Sequence, residues 1–332
     1  MQPRLGYHAS HEQFSPGALL GYLKAAQQAG FDCGMCSDHF HPWGEAQGQS
    51  GFAWSWLGAA LQATDLPLGV VNAPAFRYHP ALIAQAAATL AQMYPGRFWL
   101  AVGSGEAINE AILGQRWPDK AERNARLLEA VQLIRALWAG EQVTHHGLLQ
   151  LVRARLYTLP AQPPALFAAA LSPQTARWAG AWADGLITVS AHTETLRAIV
   201  EAFREGGGEG KPLYLQVKLS YAATDEAALA GAHVQWRTNV FAAELAEDVA
   251  SPAAFDAMAR YVTPADVARH VRVSSDPARH AHWLQQDLAL GFDALLLHNV
   301  NGEQARFIET FGAKVLPQLR QAGANSPPTR NQ

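Results

Sequence analysis

Eight strand-like stretches alternate with helix-like ones along the chain, and this alternation limits the possible folds more than any other feature. The strand-like runs are Arg4–Tyr7, Phe31–Cys36, Leu68–Asn72, Phe98–Val102, Ala165–Ala169, Leu186–Thr188, Leu213–Leu219 and Ala294–Leu297. Between the first two, Leu19, Leu20, Leu23 and Ala26 recur at helical spacing and Gly30 supplies a stop. Pro80 opens another helix at the position where proline's fixed φ is already helical. Repeated strand–helix pairs build parallel sheets. Such a sheet either closes into a (β/α)₈ TIM barrel or stays open as a doubly wound sheet, the main competitor. Residues 143–156 read as a small hairpin, and residues 221–277 as an irregular helical insertion near the C-terminal strands. This gives one barrel domain over residues 1–322 and a tail, 323–332, rich in Pro, Ser and Asn and expected to fray.

Composition removes several classes. Hydrophobic residues make up 49% of the 332 and charged residues 16%, which suits one large core rather than disorder. Net charge is -3 with no basic stripe, so a nucleic-acid partner is not expected. No apolar run approaches the roughly 20 residues of a membrane span, and the first residues lack a secretory pattern; a soluble cytoplasmic protein is the expectation. The only cysteines, Cys33 and Cys36, are spaced C-x-x-C within a strand. Residues three apart on a strand face opposite sides, so a shared metal or disulfide is not expected.

Barrel enzymes build their sites at the C-terminal ends of the strands. Here those ends carry His8, Ser10, His11 and Glu12; Ser37 to Trp43; Asn72; Gly103 to Glu106 with Asn109 and Glu110; Ser190 and His192; and His298 and Asn299. Asp38 and His39 offer an acid–base pair in which a carboxylate fixes the imidazole tautomer and raises its basicity. Glu106 reads either as a general acid or as a carboxylate favouring the next helix N-terminus. Trp43, in a loop between Pro42 and Gly44, is a candidate wall for a flat ring, whereas Trp54 and Trp56 read as core. His39-x-His41, with His192 and His298, raises a metal-dependent hydrolase as an alternative. Its ligand set is incomplete, because Asn299 stands where an Asp is needed, and no metal site is assigned.

Taken together, Ser37-Asp-His-Phe40, Trp43, Phe52-Ala-Trp-Ser-Trp56, Phe76-Arg-Tyr-His-Pro80, Gly103-Ser-Gly-Glu-Ala107, Asn109, Glu110 and Ala183-Asp-Gly185 resemble a known family. It is the deazaflavin (coenzyme F420)-dependent glucose-6-phosphate dehydrogenase branch of the luciferase-like monooxygenase superfamily. The resemblance implies a barrel with a cofactor ring across the strand ends. It implies His39 as base, Glu106 as acid, and Trp43 and Glu12 beside the reaction centre. It places Asp38, Val71, Asn72, Gly105, Asn109, Ala170, Leu171 and Ser172 against the cofactor, and a non-proline cis peptide between Val70 and Asn72.

Two departures stand out. The family's Gly-Gly after the fifth strand is Ala170-Leu171 here, although Ser172 and the following helix N-terminus can still receive a phosphate. Its basic phosphate-binding positions fall on His192 and His270, with no lysine near Ala257 or Met258, which argues against glucose 6-phosphate. The chain resembles still more a sister group held to use FMN. FMN is therefore the leading cofactor expected and F420 the alternative, for hydride transfer or monooxygenation of a small organic molecule. A homodimer is the default assembly. A non-catalytic flavin-binding protein on the same fold is the remaining class.

Overall fold

The computed structural model describes residues 2–324, and the tail beyond lies outside the described residues. Its main strands are β1 (Arg4–Ala9), β2 (Cys33–Ser37), β3 (Leu68–Asn72), β4 (Phe98–Val102), β5 (Ala165–Ala169), β6 (Gly185–Val189), β7 (Leu213–Ser220) and β8 (Ala294–Asn299). Each pairs in parallel with the next, and β8 returns to β1 with Ala294 opposite Arg4. The sheet therefore closes into a (β/α)₈ barrel, and the open doubly wound sheet is excluded. Helices pack outside, and Pro16, Pro80, Pro173 and Pro277 each stand in the first turn of one. The residues before them, Ser15, His79, Ser172 and Asp276, cap those first turns with their side chains.

Strand alternation produces two cores. Leu5, Tyr7, Val70, Leu100, Leu166, Leu215 and Leu295 point outward into the layer shared with the helices. Cys33, Met35, Trp99, Phe167, Ile187 and Leu296 point into the barrel. The two cysteines thus face opposite layers, as their spacing requires, and burial pushes the Cys33 thiol up to about 12. Inside the barrel Trp99, Phe167 and Tyr214 pack with ring centroids 4.5 to 5.4 Å apart. Gly69 makes room for them: a Cβ there would lie 1.9 Å from the Trp99 indole. This aromatic plug fills the lumen, and Met35, Val71, Ala169 and Ile187 of the same cluster form the apolar floor of the cavity above it.

The backbone differs from expectation in three places. No cis peptide occurs among the described residues. The β3 ladder runs unbroken to Asn72 opposite Val102, and the Gly103 N–H donates to the Asn72 carbonyl at 2.9 Å. That pairing is met by trans peptides, the form favoured by about 3 kcal/mol outside proline. β8 extends to Asn299 because the longer β7 continues beside it, with Asn299 opposite Leu219. A short helix, Ala107–Glu110, stands between β4 and the long helix Lys120–Trp138.

Between β7 and β8, the helix Asp225–Trp236 and several short turns reach across the barrel mouth before the helix Pro277–Leu288. Arg272–Val273 adds two residues of parallel strand beside β7. The crossing is tied down by a 2.8 Å bond from the Ala107 N–H to the Glu247 carbonyl, by ion pairs of Arg123 and Lys120 with Glu247, and by Trp43 edge-on to Phe255. No described helix is long and apolar enough to cross a membrane.

Candidate active site

A cavity of about 1120 Å³ opens at the C-terminal end of the barrel, roofed by the segment after β7. Glu12, Asp38, His39, Trp43, Val71, Asn72, Gly105, Glu106, Asn109, Ala170, Leu171 and Ser172 all line it. Residues drawn from five strand ends thus converge on one space, as strand-end clustering predicts.

At its centre His39 lies between two carboxylates. Its Nε2 is 3.5 Å from Glu12 Oε1 and 3.9 Å from Glu106 Oε2. Glu12 Oε2 accepts 2.8 Å hydrogen bonds from the Ser10 and Ser37 hydroxyls. Burial pushes the Glu12 carboxyl up, but His39, Ser37 and His8 more than offset it and hold the group below its ordinary value. In Glu106 burial prevails, holding the carboxyl above its ordinary value against the pull of His39. Glu106 stands at the N-cap of the helix Ala107–Glu110 but makes no capping bond, and about a third of its side-chain surface faces the cavity. Trp43 packs on the imidazole with ring centroids 4.9 Å apart.

Asp38 corrects the sequence reading. Its carboxylate does not orient His39. Oδ2 accepts from Trp54 Nε1 at 3.2 Å and Asn72 Nδ2 at 2.6 Å, while Oδ1 accepts from the Tyr78 hydroxyl at 3.1 Å. Arg77 completes the ring, 3.5 Å from Oδ1 and 2.8 Å from the Asp38 carbonyl. Successive residues of an extended chain project to opposite sides, so when His39 enters the cavity Asp38 turns into its wall. Trp54 is therefore both core and a donor to the site. Glu110 takes the Arg77 N–H at 2.6 Å, and burial raises its carboxyl to about 7. Asn109 clamps the loop after β2 by accepting from the Phe40 N–H at 2.9 Å.

His41 faces away, its Nδ1 donating to the Ile108 carbonyl at 2.8 Å, and His192 is exposed and outside the cavity lining. The H-x-H pair therefore does not converge. His298 does line the cavity, with its ring 4.3 Å from that of His8. His298 Nε2 lies 2.8 Å from Gln13 Oε1, which fixes its tautomer. Burial holds His8 down at about 4 and His298 well below its ordinary value, so both are neutral at pH 7.

Sequence reasoning missed Lys218, Thr188 and Trp236, which also line the cavity. A signal for Lys218 was present. Leu213, Leu215, Val217 and Leu219 alternate with Tyr214, Gln216 and Lys218, which puts the lysine on the lumen side.

The cavity suits a large heterocyclic cofactor. Asn72 Oδ1, Asn124 Oδ1 and Thr188 Oγ1 are buried in its lining without partners, and an edge of donors and acceptors would satisfy them. Gly105 takes φ +81°, a conformation that lets the backbone lie close to a ligand without a Cβ. Ser172 caps the helix Pro173–Gly180, and Gln174 and Thr175 of its first turn line the same space.

Residues 1–294 match the model of the luciferase-like monooxygenase family. The chain belongs to that family. It is an oxidoreductase of the luciferase-like class, and with His41 turned away and His192 outside the lining the metal-hydrolase reading has no ligand set here. The F420-dependent glucose-6-phosphate dehydrogenase of Beutenbergia cavernae is 40% identical over 331 residues, covering 96% of this chain and 97% of the relative. The protein of the same name from Mycobacterium tuberculosis is 36% identical over 333 residues, covering 96% and 99%. An F420-dependent secondary alcohol dehydrogenase, solved in complex with an F420–acetone adduct, matches with a TM-score of 0.90 at 32% identity, over 96% of this chain and 99% of that one. A riboflavin lyase solved with modified FMN shares the luciferase-like fold at a TM-score of 0.74 and 18% identity, over 98% and 93%.

Proposed function

We propose that this chain is an F420-dependent dehydrogenase that oxidises the alcohol of a small organic molecule to a carbonyl. The observation that carries the reading is the imidazole of His39 held between one carboxylate kept ionised and another pushed toward its protonated form. Two carboxyl groups whose surroundings push them apart are suited to separate roles.

The bound deazaflavin supplies a hydride acceptor. The protein manages the proton. His39 Nε2 faces the cavity and takes the proton of the substrate hydroxyl. Glu12, ionised beside it, stabilises the imidazolium that results. Glu106, pushed toward its protonated form, would supply the proton that accompanies the hydride on the reduced cofactor. Trp43 fixes the imidazole plane, and Asn109 holds the loop that carries it. Val71, Asn72, Gly105, Ala170, Leu171 and Ser172 would hold the cofactor, while Asp38 acts through Asn72, Trp54 and Arg77 by fixing the wall.

Of the two cofactors expected, the relatives at 30% identity or more support F420 over FMN. Glucose 6-phosphate is less well supported. His192 is turned to solvent, and partial burial with the charge of Lys218 holds His270 below its ordinary value. The test is titration of the purified chain with F420 and with FMN, followed by absorbance and fluorescence. Micromolar or tighter binding of F420, and its reduction on adding a secondary alcohol, is the expected result. Tighter binding of FMN returns the site to the flavin reading, and no binding of either removes the proposal.

A further inference from the structure

Lys218 has no place in the proton path just described, yet it enters the cavity from β7. Among the described residues no carboxylate lies within ion-pair distance of it, and its Nζ sits 5.7 Å from the centre of the Trp236 ring. The other lysine of the lining, Lys120, is held by Glu247 at 2.9 Å and the Ser104 hydroxyl at 3.0 Å. His8 and His298, the latter opposite Lys218 in the ladder, are neutral. Burial holds Lys218 below its ordinary value and the charge of Glu106 pulls it back, yet the two make no ion pair, so the β6–β8 wall keeps an ammonium with no hydrogen-bonded counter-charge. Two further polar atoms of that wall, Thr188 Oγ1 and Trp236 Nε1, are buried without partners. A desolvated ammonium and two idle donors are costly to keep unless a ligand completes them.

We infer that Lys218 is the specificity-determining residue for a carboxylate on the substrate, so that the preferred substrates are hydroxycarboxylic acids. Resting on the dehydrogenase reading, this places the alcohol at His39 on the β1–β4 side and the carboxylate at Lys218 across the mouth. One cation matches a monoanion. A dianionic sugar phosphate would leave one negative charge unmatched at that wall. Thr188 and Trp236 donate to the second carboxylate oxygen, which distinguishes the acid from its amide. The reaction itself is unchanged: the hydroxyl proton goes to His39, the hydride goes to the cofactor, and the carboxylate takes no part in bond making.

The experiment uses the reconstituted holoenzyme and a series of hydroxycarboxylates, from 2-hydroxy to 6-hydroxy, each paired with its primary amide. Binding is read by calorimetry and turnover by cofactor reduction. At least one acid is expected to exceed its amide by about 10- to 100-fold in kcat/KM, the range of a charged hydrogen bond. In Lys218→Met that ratio falls to near one through KM, with cofactor affinity within about twofold as the check on folding. Lys218→Arg restores most of the preference. If every acid binds and reacts no better than its amide, or if Lys218→Met keeps the ratio, the carboxylate site is overturned while the dehydrogenase reading stands. Failure to bind either cofactor removes the dehydrogenase reading itself, and the two failures cannot be confused.

Discussion

On the β1–β4 side of the mouth the carboxylates of Glu12 and Asp38 are each held by named donors; on the β6–β8 side Thr188 Oγ1 and Trp236 Nε1 have no partner and Lys218 meets only the Trp236 ring. On the first side the fold alone satisfies the two carboxylates, while Asn72 Oδ1 and His39 Nδ1 beside them remain without partners. Its hydrogen bonds fix where a proton is taken, and changing a member disturbs neighbours that depend on it. The second side is left for a ligand to finish. Residues there can change with little loss to the fold, which makes it the place where one barrel comes to accept a different molecule.

The largest expected effect tests whether the first side does the chemistry. His39→Ala should lower kcat by about 10²- to 10⁴-fold, the usual share of general acid–base catalysis, and leave cofactor affinity within a few-fold. Steady-state turnover beside a binding titration checks it, and normal turnover would remove His39 as the base. Next comes stability. Asp38→Ala strands the Trp54 and Tyr78 donors and the Asn72 amide and leaves Arg77 only Glu110 and the Asp38 carbonyl as partners, and should cost about 3 kcal/mol in urea unfolding. Thr188→Ala removes a hydroxyl with no partner and should stay within about 1 kcal/mol of the parent. Equal losses from the two would dissolve the contrast between the sides.

A pH-dependent effect, spread over several pH units, concerns the seam where the sides meet, at the stacked His8 and His298. Folding holds His8 at about 4 against 6.5 when unfolded, so the unfolded chain binds the extra proton between those values. Its contribution is therefore complete above pH 6.5 and is lost as the pH falls through 4, amounting to about 3 kcal/mol. His8→Asn should flatten that limb of the stability–pH curve relative to the parent. Parallel curves would mean that the seam is already charged, and the charge count beside Lys218 would need revision.

Much of this was readable in advance because it rests on local rules. Strand and helix positions follow from hydrophobic period, helix starts from Pro16, Pro80, Pro173 and Pro277, and the opposite facing of Cys33 and Cys36 from a two-residue repeat. The polar strand ends were visible for the same reason, and all twelve residues expected in the site line one cavity. What escaped was partnership. Asp38 beside His39 in sequence looked like its carboxylate, and Lys218 was hidden within a run that otherwise reads as an ordinary strand.

The sequence by itself determined that strands and helices alternate and that chemistry gathers at one end of the sheet. Only the tertiary structure decided that Glu12 rather than Asp38 stands beside the imidazole, and that a lysine from the seventh strand enters the cavity without an ion-pair partner among the described residues. The reason is geometric. Local periodicity sets which way a side chain leaves the backbone, but what it meets is supplied by other strands, brought within 4 Å only when the barrel closes.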